Sequence, residues 1–353
     1  MSEEKRKPVI GISCGDLNGI GMEIIMKTFS HGEMMDLCTP VVFASSKVAS
    51  YHRKALGMDH FNFHIINEFS KLSDKKANLM TCWNDEVNLE FGKESKEVGA
   101  YALKSLQAAV KAHKEGNIDA LVTAPIHKNS IQSDQFKFTG HTDFLESEYN
   151  SGKSTMLMLS EEMRMALATV HIPISKVSDA VTKDLIMEKL TNLNRCLNFD
   201  FHKKKGKIAV LALNPHAGDG GVIGTEDQEI VAPAIEEAFE NGIMAFGPFP
   251  ADSFFGNNRH KQFDAILAMY HDQGLIPFKS LSFGQGVNYT AGLDIVRTSP
   301  DHGTGFDIAG KGEASEYSFR QAVFAACDLL KNRGISKEIH KNPLPVKKGK
   351  KDY

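Results

Sequence analysis

The chain has 353 residues, 42% hydrophobic and 24% charged, with a net charge of −3 and a pI near 6.5. It is long enough for two domains with separate cores and has the balance of an ordinary globular protein, with no basic field to recruit nucleic acid or an anionic membrane. Five scattered cysteines without a Cys-x-x-Cys pair argue against a disulfide framework and a thiolate zinc site. No apolar run reaches the roughly 20 residues of a membrane span. The charged opening, residues 1–8, has no signal-peptide core, so the expected location is cytoplasmic.

Residues 8–14 read as a buried strand running into Gly15-Asp-Leu-Asn-Gly-Ile-Gly21 and a helix over 22–29. Strand, glycine loop and helix form the layout of a phosphate-binding turn. The glycines do not fit G-x-G-x-x-G, however, and a tight structural turn explains them equally well. Strands follow at 41–44, 61–66 and 78–83, with a helix at 50–56. A longer helix over 97–113 carries Val98, Leu103, Leu106, Ala109 and Val110 near helical spacing and stops at Gly116-Asn117. Residues 118–128 repeat the opening pattern, an apolar strand ending in Pro125, His127 and Lys128. His141 and Thr142 then enter a short helix, near which a first domain crossover is expected.

Residues 155–159 and 164–170 resemble a hairpin, the second arm ending at His171-Ile-Pro173. A helix over 183–198 shows one apolar stripe of Ile186, Leu190, Leu193 and Leu197. The run His202-Lys-Lys-Lys-Gly206 reads as a solvated turn. The strand at 207–213 ends in Asn214-Pro-His-Ala-Gly-Asp-Gly-Gly221. Thr225-Glu-Asp-Gln228 has the form of a capping box for a helix closed by Asn241-Gly242. The apolar run from Asp264 stops abruptly at Tyr270-His-Asp-Gln-Gly274, with Lys279 shortly beyond Pro277. Strands at 287–290 and 295–297 lead to a glycine-rich loop over 299–312. A helix over 316–333, closed by Gly334, precedes a basic tail, 342–353. Within that loop, residues 305–311 fit G-x-x-x-x-G-K, but Gly312 replaces the hydroxyl residue and no strand leads in directly, so a P-loop is rejected.

Three apolar strands thus end in a histidine at a Pro- or Gly-marked corner: His171, His216 and His271. Neutral imidazoles from separate strands are the donor set of a divalent ion with an open position, and Asp272 and Asp219 lie beside two of them. Any one of these histidines alone reads more readily as a hydrogen-bonded structural imidazole, and it is the repeated strand-end context that turns the set of three toward a metal. His141, Thr142, Lys279, Asn288 and Arg297 form a second, cationic and polar group. Arg offers a fork, and Lys a point charge, to phosphate or carboxylate.

Ordered along the chain, these motifs resemble the PdxA family, the 4-hydroxythreonine-4-phosphate dehydrogenases of pyridoxal phosphate biosynthesis. The carriers run from about 8 to 330: Gly15-Asp with Gly19-Ile-Gly21, Thr123-Ala-Pro-Ile-His-Lys128, Gly140-His-Thr-Asp-Phe144, His171-Ile-Pro173, Asn214-Pro-His-Ala-Gly218, Gly247-Pro-Phe-Pro-Ala-Asp252, Tyr270-His-Asp-Gln-Gly274, Val287-Asn288, Arg297-Thr-Ser299 and Asp301-His-Gly-Thr304. The resemblance implies an α/β fold, a two-domain α/β/α subunit of the isocitrate/isopropylmalate dehydrogenase type, with its active site in the interdomain cleft. On that basis 1–139 with 300–341 form an outer domain carrying the cofactor loop, and 140–299 the dimerisation, metal and substrate domain.

It further implies a homodimer whose partner completes the site, with no nucleic acid and no membrane. His171, His216 and His271 match the family's metal ligands for Zn, Mg, Co or Mn. His141, Thr142, Lys279, Asn288 and Arg297 match its substrate-binding residues. Asp301, His302, Gly303, Thr304 and Asp307 fall in its NAD or NADP loop, and Lys279, Asp252 and Asp272 are candidates for proton transfer. The implied reaction is metal-dependent oxidation of the C3 alcohol of 4-phosphooxy-L-threonine and loss of CO₂, giving 3-amino-2-oxopropyl phosphate. Leu17-Asn18 and Lys311 depart from common family residues and leave NAD against NADP open. A related substrate (4-phospho-threonate or 4-phospho-erythronate) and, more remotely, a three-histidine metal hydrolase are the rival readings.

Overall fold

The computed structural model describes residues 6–149 and 154–342. The strands are β1 Val9–Ser13, β2 Thr39–Ala44, β3 His64–Ile66, β4 Asn78–Thr81, β5 Ala120–Thr123, β6 Thr155–Leu159, β7 Arg164–Leu167, β8 Ile208–Leu211, β9 Ala245–Phe249, β10 Ala265–Ala268, β11 Val287–Ala291 and β12 Val296–Pro300. They form one sheet in the order β3-β4-β2-β1-β5-β12-β11-β6-β7-β10-β8-β9. From β3 to β12 all neighbours are parallel, and so are β7, β10, β8 and β9. Between the blocks, β12–β11, β11–β6 and β6–β7 pair antiparallel. Three reversals make the two blocks run in opposite senses. The strands of the parallel blocks are short, nearly continuous apolar runs such as Val-Ile-Gly-Ile-Ser in β1, every residue buried, as burial on both faces demands. The boundary expected at 139/140 falls between two helices, whereas 299/300 falls inside β12, through which the sheet runs unbroken.

The register sorts the residues of the central strands by face. Arg297 pairs with Leu121, two residues from Thr123 on the same face of β5. Asn288 pairs with Ser299 on one side and Met158 on the other, and Thr290 pairs with Met156. One face of the central ribbon therefore presents Thr123, Arg297, Ser299, Asn288, Thr290 and Met156. The opposite face carries Val122, Thr298, Tyr289 and Leu157, and packs on the helices Lys183–Phe199 and Tyr317–Lys341. There Thr298 Oγ1 donates to the Ala322 carbonyl at 2.7 Å. Asp200 gathers Arg333 Nε at 2.7 Å, the Tyr289 hydroxyl at 2.6 Å and the Cys196 thiol at 2.9 Å.

Side-chain caps start two of the long helices. Ser95 caps Lys96–Lys114 by accepting from the Val98 amide, and Thr182 caps Lys183–Phe199 by accepting from Leu185. Two sequence expectations are corrected. Thr225 forms no capping box: Asp227–Val231 is a π-helical turn before the helix Ala232–Glu240. The Asp227 carboxylate instead accepts from the Leu213 and Asn214 amides, at 2.7 and 2.9 Å, and so braces the loop that follows β8. The last helix runs through Gly334 to Lys341, because Arg333 and Ser336 on either side of the glycine bond to Asp200 and to the Phe199 carbonyl. The basic tail, apart from Asn342, lies outside the described residues. Among the described residues, no helix is long and apolar enough to cross a membrane.

The glycine loop after β1 serves packing rather than a phosphate. Gly15 has φ +70°, and a side chain there would strike the Pro125 carbonyl; one at Gly19 would strike Thr304. The Asp16 amide donates to Pro125 O and the Ile20 amide to Thr304 O, both at 2.9 Å, so the loop is wedged between the end of β5 and the loop after β12. Burial raises the Asp16 carboxyl from 3.8 to about 6. Between those values the folded chain binds more protons than the unfolded one, so stability falls as pH rises through that window. Asp16→Asn removes this component: urea titrations should find the stability gap between variant and wild type shifting in the variant's favour by of order 2 kcal/mol from pH 3.5 to pH 7. A gap that does not move with pH would refute it. Asp200→Ala should strand Arg333 and Tyr289 and lower the unfolding free energy by about 3 kcal/mol, read from the urea midpoint at unchanged slope. A loss below about 1 kcal/mol would mean the cluster is no keystone.

Candidate active site

The bare face of the ribbon floors a cavity of about 390 Å³, walled by residues 124–128 after β5, the helix His141–Tyr149 and the loops after β7 and β12. Arg297 lies at its base, 3% exposed. Its Nε and Nη2 donate to Thr123 Oγ1 at 3.1 and 2.6 Å, and its Nη1 donates to Thr290 Oγ1 at 3.1 Å. Among the described residues no carboxylate pairs with it. Burial pulls the guanidinium down to about 9, so it stays charged at neutral pH. A buried cation satisfied only by neutral hydroxyls is chemically suited to an anion.

Among the described residues, three further buried polar atoms on this cavity have no partner: His141 Nε2, Asn288 Oδ1 and His302 Nε2. Burial, with Arg297 adding to it, holds His141 well below its usual range, hence neutral. Thr142 joins it at the mouth, in the first turn of the helix. The site thus offers the buried Arg297 with Lys128 and Lys189, the carboxylates Asp143 and Glu146, imidazoles of lowered pKa and an amide acceptor, which suits a small anion that also carries hydroxyl or amino groups.

The strand order explains how the three histidines come to one edge of the sheet. β7, β10 and β8 are adjacent and parallel, and His171, His271 and His216 follow their carboxyl ends. His171 lines the cavity, with its ring centroid 6.0 Å from that of His271. Burial first, then Lys128 and His271, lower its pKa and favour the neutral, ligating form. His271 opens the helix His271–Ser282, and its Nδ1 lies 2.7 Å from Asp272 Oδ1. A carboxylate can only accept, so Nδ1 donates to Asp272, and a carboxylate behind an imidazole is the arrangement found with metal-bound histidines. Both residues fit a divalent cation. His216 sits apart on an exposed left-handed turn, φ 53°. Among the described residues, no three His, Cys, Asp or Glu side chains gather at metal-ligand spacing. Asp252, in the exposed helix Ala251–Gly256, lies outside the cavity.

The corner at Tyr270–Gly274 divides its labour. Gln273 ties two strand ends together, accepting from the Met269 amide and donating to Ala212 O, both at 2.7 Å. A side chain at Gly274 would strike Leu167, so the glycine lets the helix sit close to β7. Lys279, one helical stretch later, is engaged by the carbonyl and carboxylate of Asp301, each at 3.1 Å, and does not line the cavity. Burial raises Asp301 against the opposing pull of Lys279. His302 and Gly303 separate the first cavity from a second of about 600 Å³, walled by Ile20, Gly305, Ile308 and Tyr317. Thr304 is held by the Ile20 amide, and Asp307 is exposed.

Thr123, Thr290 and Ser299 are functional neighbours that sequence reasoning missed. Thr123 carried a signal, as the polar end of a buried strand; Thr290, inside β11, showed nothing until its register with Arg297 was known.

Comparison with known proteins agrees with this architecture. The family described as Pyridoxal phosphate biosynthetic protein PdxA matches residues 36–326. A 4-hydroxythreonine-4-phosphate dehydrogenase from Bacteroides thetaiotaomicron is 51% identical over 342 residues, 97% of this chain and 94% of that one. One of the same name from Prosthecochloris aestuarii is 40% identical over 329 residues, 90% of this chain and 96% of that one. The crystal structure of 4-hydroxythreonine-4-phosphate dehydrogenase from Klebsiella pneumoniae superposes with a TM-score of 0.79 at 30% identity, covering 93% of this chain and 99% of that one. With family and relatives matching over most of its length, the chain belongs to the PdxA family of oxidoreductases.

Proposed function

We propose that this chain is a metal-dependent, NAD(P)-linked 4-hydroxythreonine-4-phosphate dehydrogenase acting in pyridoxal phosphate biosynthesis. The observation that carries the reading is Arg297, a buried cation without a counter-ion at the base of a small polar cavity. The substrate's phosphate takes the charge of Arg297, with Thr142 in the cavity wall; Lys279 would join only on release from Asp301. Its hydroxyl and amino groups meet the unpartnered His141 Nε2 and Asn288 Oδ1. Fixing both ends of a small, flexible substrate sets the orientation that hydride transfer requires.

His171 and His271, with His216, would hold a divalent cation that supplies Lewis acidity to the reacting oxygen, while the nicotinamide dinucleotide takes the hydride. Asp301, His302, Gly303, Thr304 and Asp307 would hold the dinucleotide, with the second cavity beyond His302 and Gly303 beside them. Asp272 keeps the His271 proton on Nδ1. Lys279, held by Asp301 at the rim, is the nearest of the three proton-transfer candidates to that cofactor loop. Alcohol oxidation gives a β-keto acid, whose carboxylate leaves as CO₂ as a proton returns to the adjacent carbon.

We also propose a cytoplasmic homodimer whose partner completes the metal set. His216 stands apart from the other two histidines. The loops around them expose Ile174 (71%), Val222 (83%) and, beyond the helix of His271, Phe283 (83%), an apolar surface that a second subunit would cover.

The deciding assay is NAD(P)⁺ reduction with 4-phosphooxy-L-threonine. Turnover should be abolished by a chelator and restored by a divalent metal. Activity indifferent to the chelator would remove the metal role from the histidines, and better turnover of 4-phospho-threonate would reassign the substrate. Hydrolysis that needs no dinucleotide would overturn the dehydrogenase reading altogether. In sedimentation velocity at micromolar concentration the protein should run as a dimer.

A further inference from the structure

We propose that Thr123 and Thr290 are positioning residues that hold the Arg297 guanidinium open for a phosphoryl oxyanion. The inference rests on reading Arg297 as the group that binds the substrate's phosphate. β12 lies between β5 and β11, and each neighbour contributes one buried threonine to the side chain it flanks. Thr123 Oγ1 accepts from Nε and Nη2, and Thr290 Oγ1 accepts from Nη1. A guanidinium has five N–H groups, so these contacts leave two, one on each terminal nitrogen. Those two can grip an oxyanion bidentately.

The choice of partner matters as much as the geometry. A carboxylate at either position would orient the guanidinium equally well but neutralise it, and the cavity would lose its attraction for an anion. A hydroxyl accepts a hydrogen bond without cancelling charge. Threonine is also β-branched and stiff about χ1 in a strand, so it fixes the fork with little freedom to spare. An arginine without such partners would have rotamers to lose on binding and unsatisfied donors in the free site.

The test uses the full chain, with inorganic phosphate binding measured by calorimetry and kinetics measured with 4-phosphooxy-L-threonine. Thr123→Val and Thr290→Val should weaken phosphate binding and raise KM about tenfold or more, with kcat changed much less. The matching Ser variants should restore both. Thr290→Asp should lose phosphate binding while melting no lower than wild type, a pairing that general destabilisation does not produce. It decides the question even if the Val variants fail to fold. If Thr290→Asp, or folded Val variants, bind phosphate as the wild type does while Arg297→Met does not, the positioning role is overturned and the anion reading stands. If Arg297→Met also binds normally, the anion reading itself fails.

Discussion

A charge buried without its opposite is the constraint around which the molecule is arranged. Isolated in a low-dielectric interior, a guanidinium costs far more than its hydrogen bonds return, and a fold retains one only where the surroundings hold it rigidly or a ligand repays the cost. Both conditions meet at Arg297. Two threonines clamp it from neighbouring strands, and His141, which the same cation helps to keep neutral, faces the cavity beside it. The stability for this arrangement comes from elsewhere. On the opposite face of the same strands, Asp200, Tyr289 and Arg333 form a fully paired ionic cluster, and Thr298 anchors the last helix.

Much of the fold was legible because its parallel strands must be apolar on both faces. Such runs announce themselves, and the polar corners that end them announce the site. The placing of His171, His216 and His271 just past strand ends was readable for that reason, though not that His216 stands apart, and so was the hairpin of β6 and β7, whose turn closes between Ser160 and Met163. What stayed hidden was whatever depends on pairing at a distance. The partnership of Arg297 with Thr123 and Thr290 spans 174 and 7 residues of chain and exists only in the final strand register. Asp227 looked like part of a helix cap and is instead the brace of a strand-end loop, because two amides of the β8 loop lie within its reach and outbid the local motif. Gly334 looked like a helix end and is not, because the flanking residues bond outward.

The glycine loop after β1 teaches a related point about motifs. Strand, glycines and helix suggested a phosphate cradle, yet the amide that would face a ligand at Ile20 is spent on Thr304. The loop's effect on the site is indirect: by fixing the segment 301–312 from behind, it sets where His302 and Gly303 stand between the two cavities.

The location of the cavity follows from sheet physics. A parallel block must be covered on both faces, so it has no bare surface on which to build a polar floor. Antiparallel strands can be packed on one side and open on the other. The ribbon β12–β11–β6–β7 is the only antiparallel stretch of the sheet among the described residues, and the cavity floor belongs to it. Joining two parallel blocks through that ribbon also reverses the sense of the second block. The histidine-bearing ends of β7, β10 and β8 are thereby separated from the ends of β5 and β12, which supply the loops of the opposite wall. The ribbon is thus what allows Arg297, His171 and the glycine-rich loop to face one small volume, each delivered by a different set of strand ends.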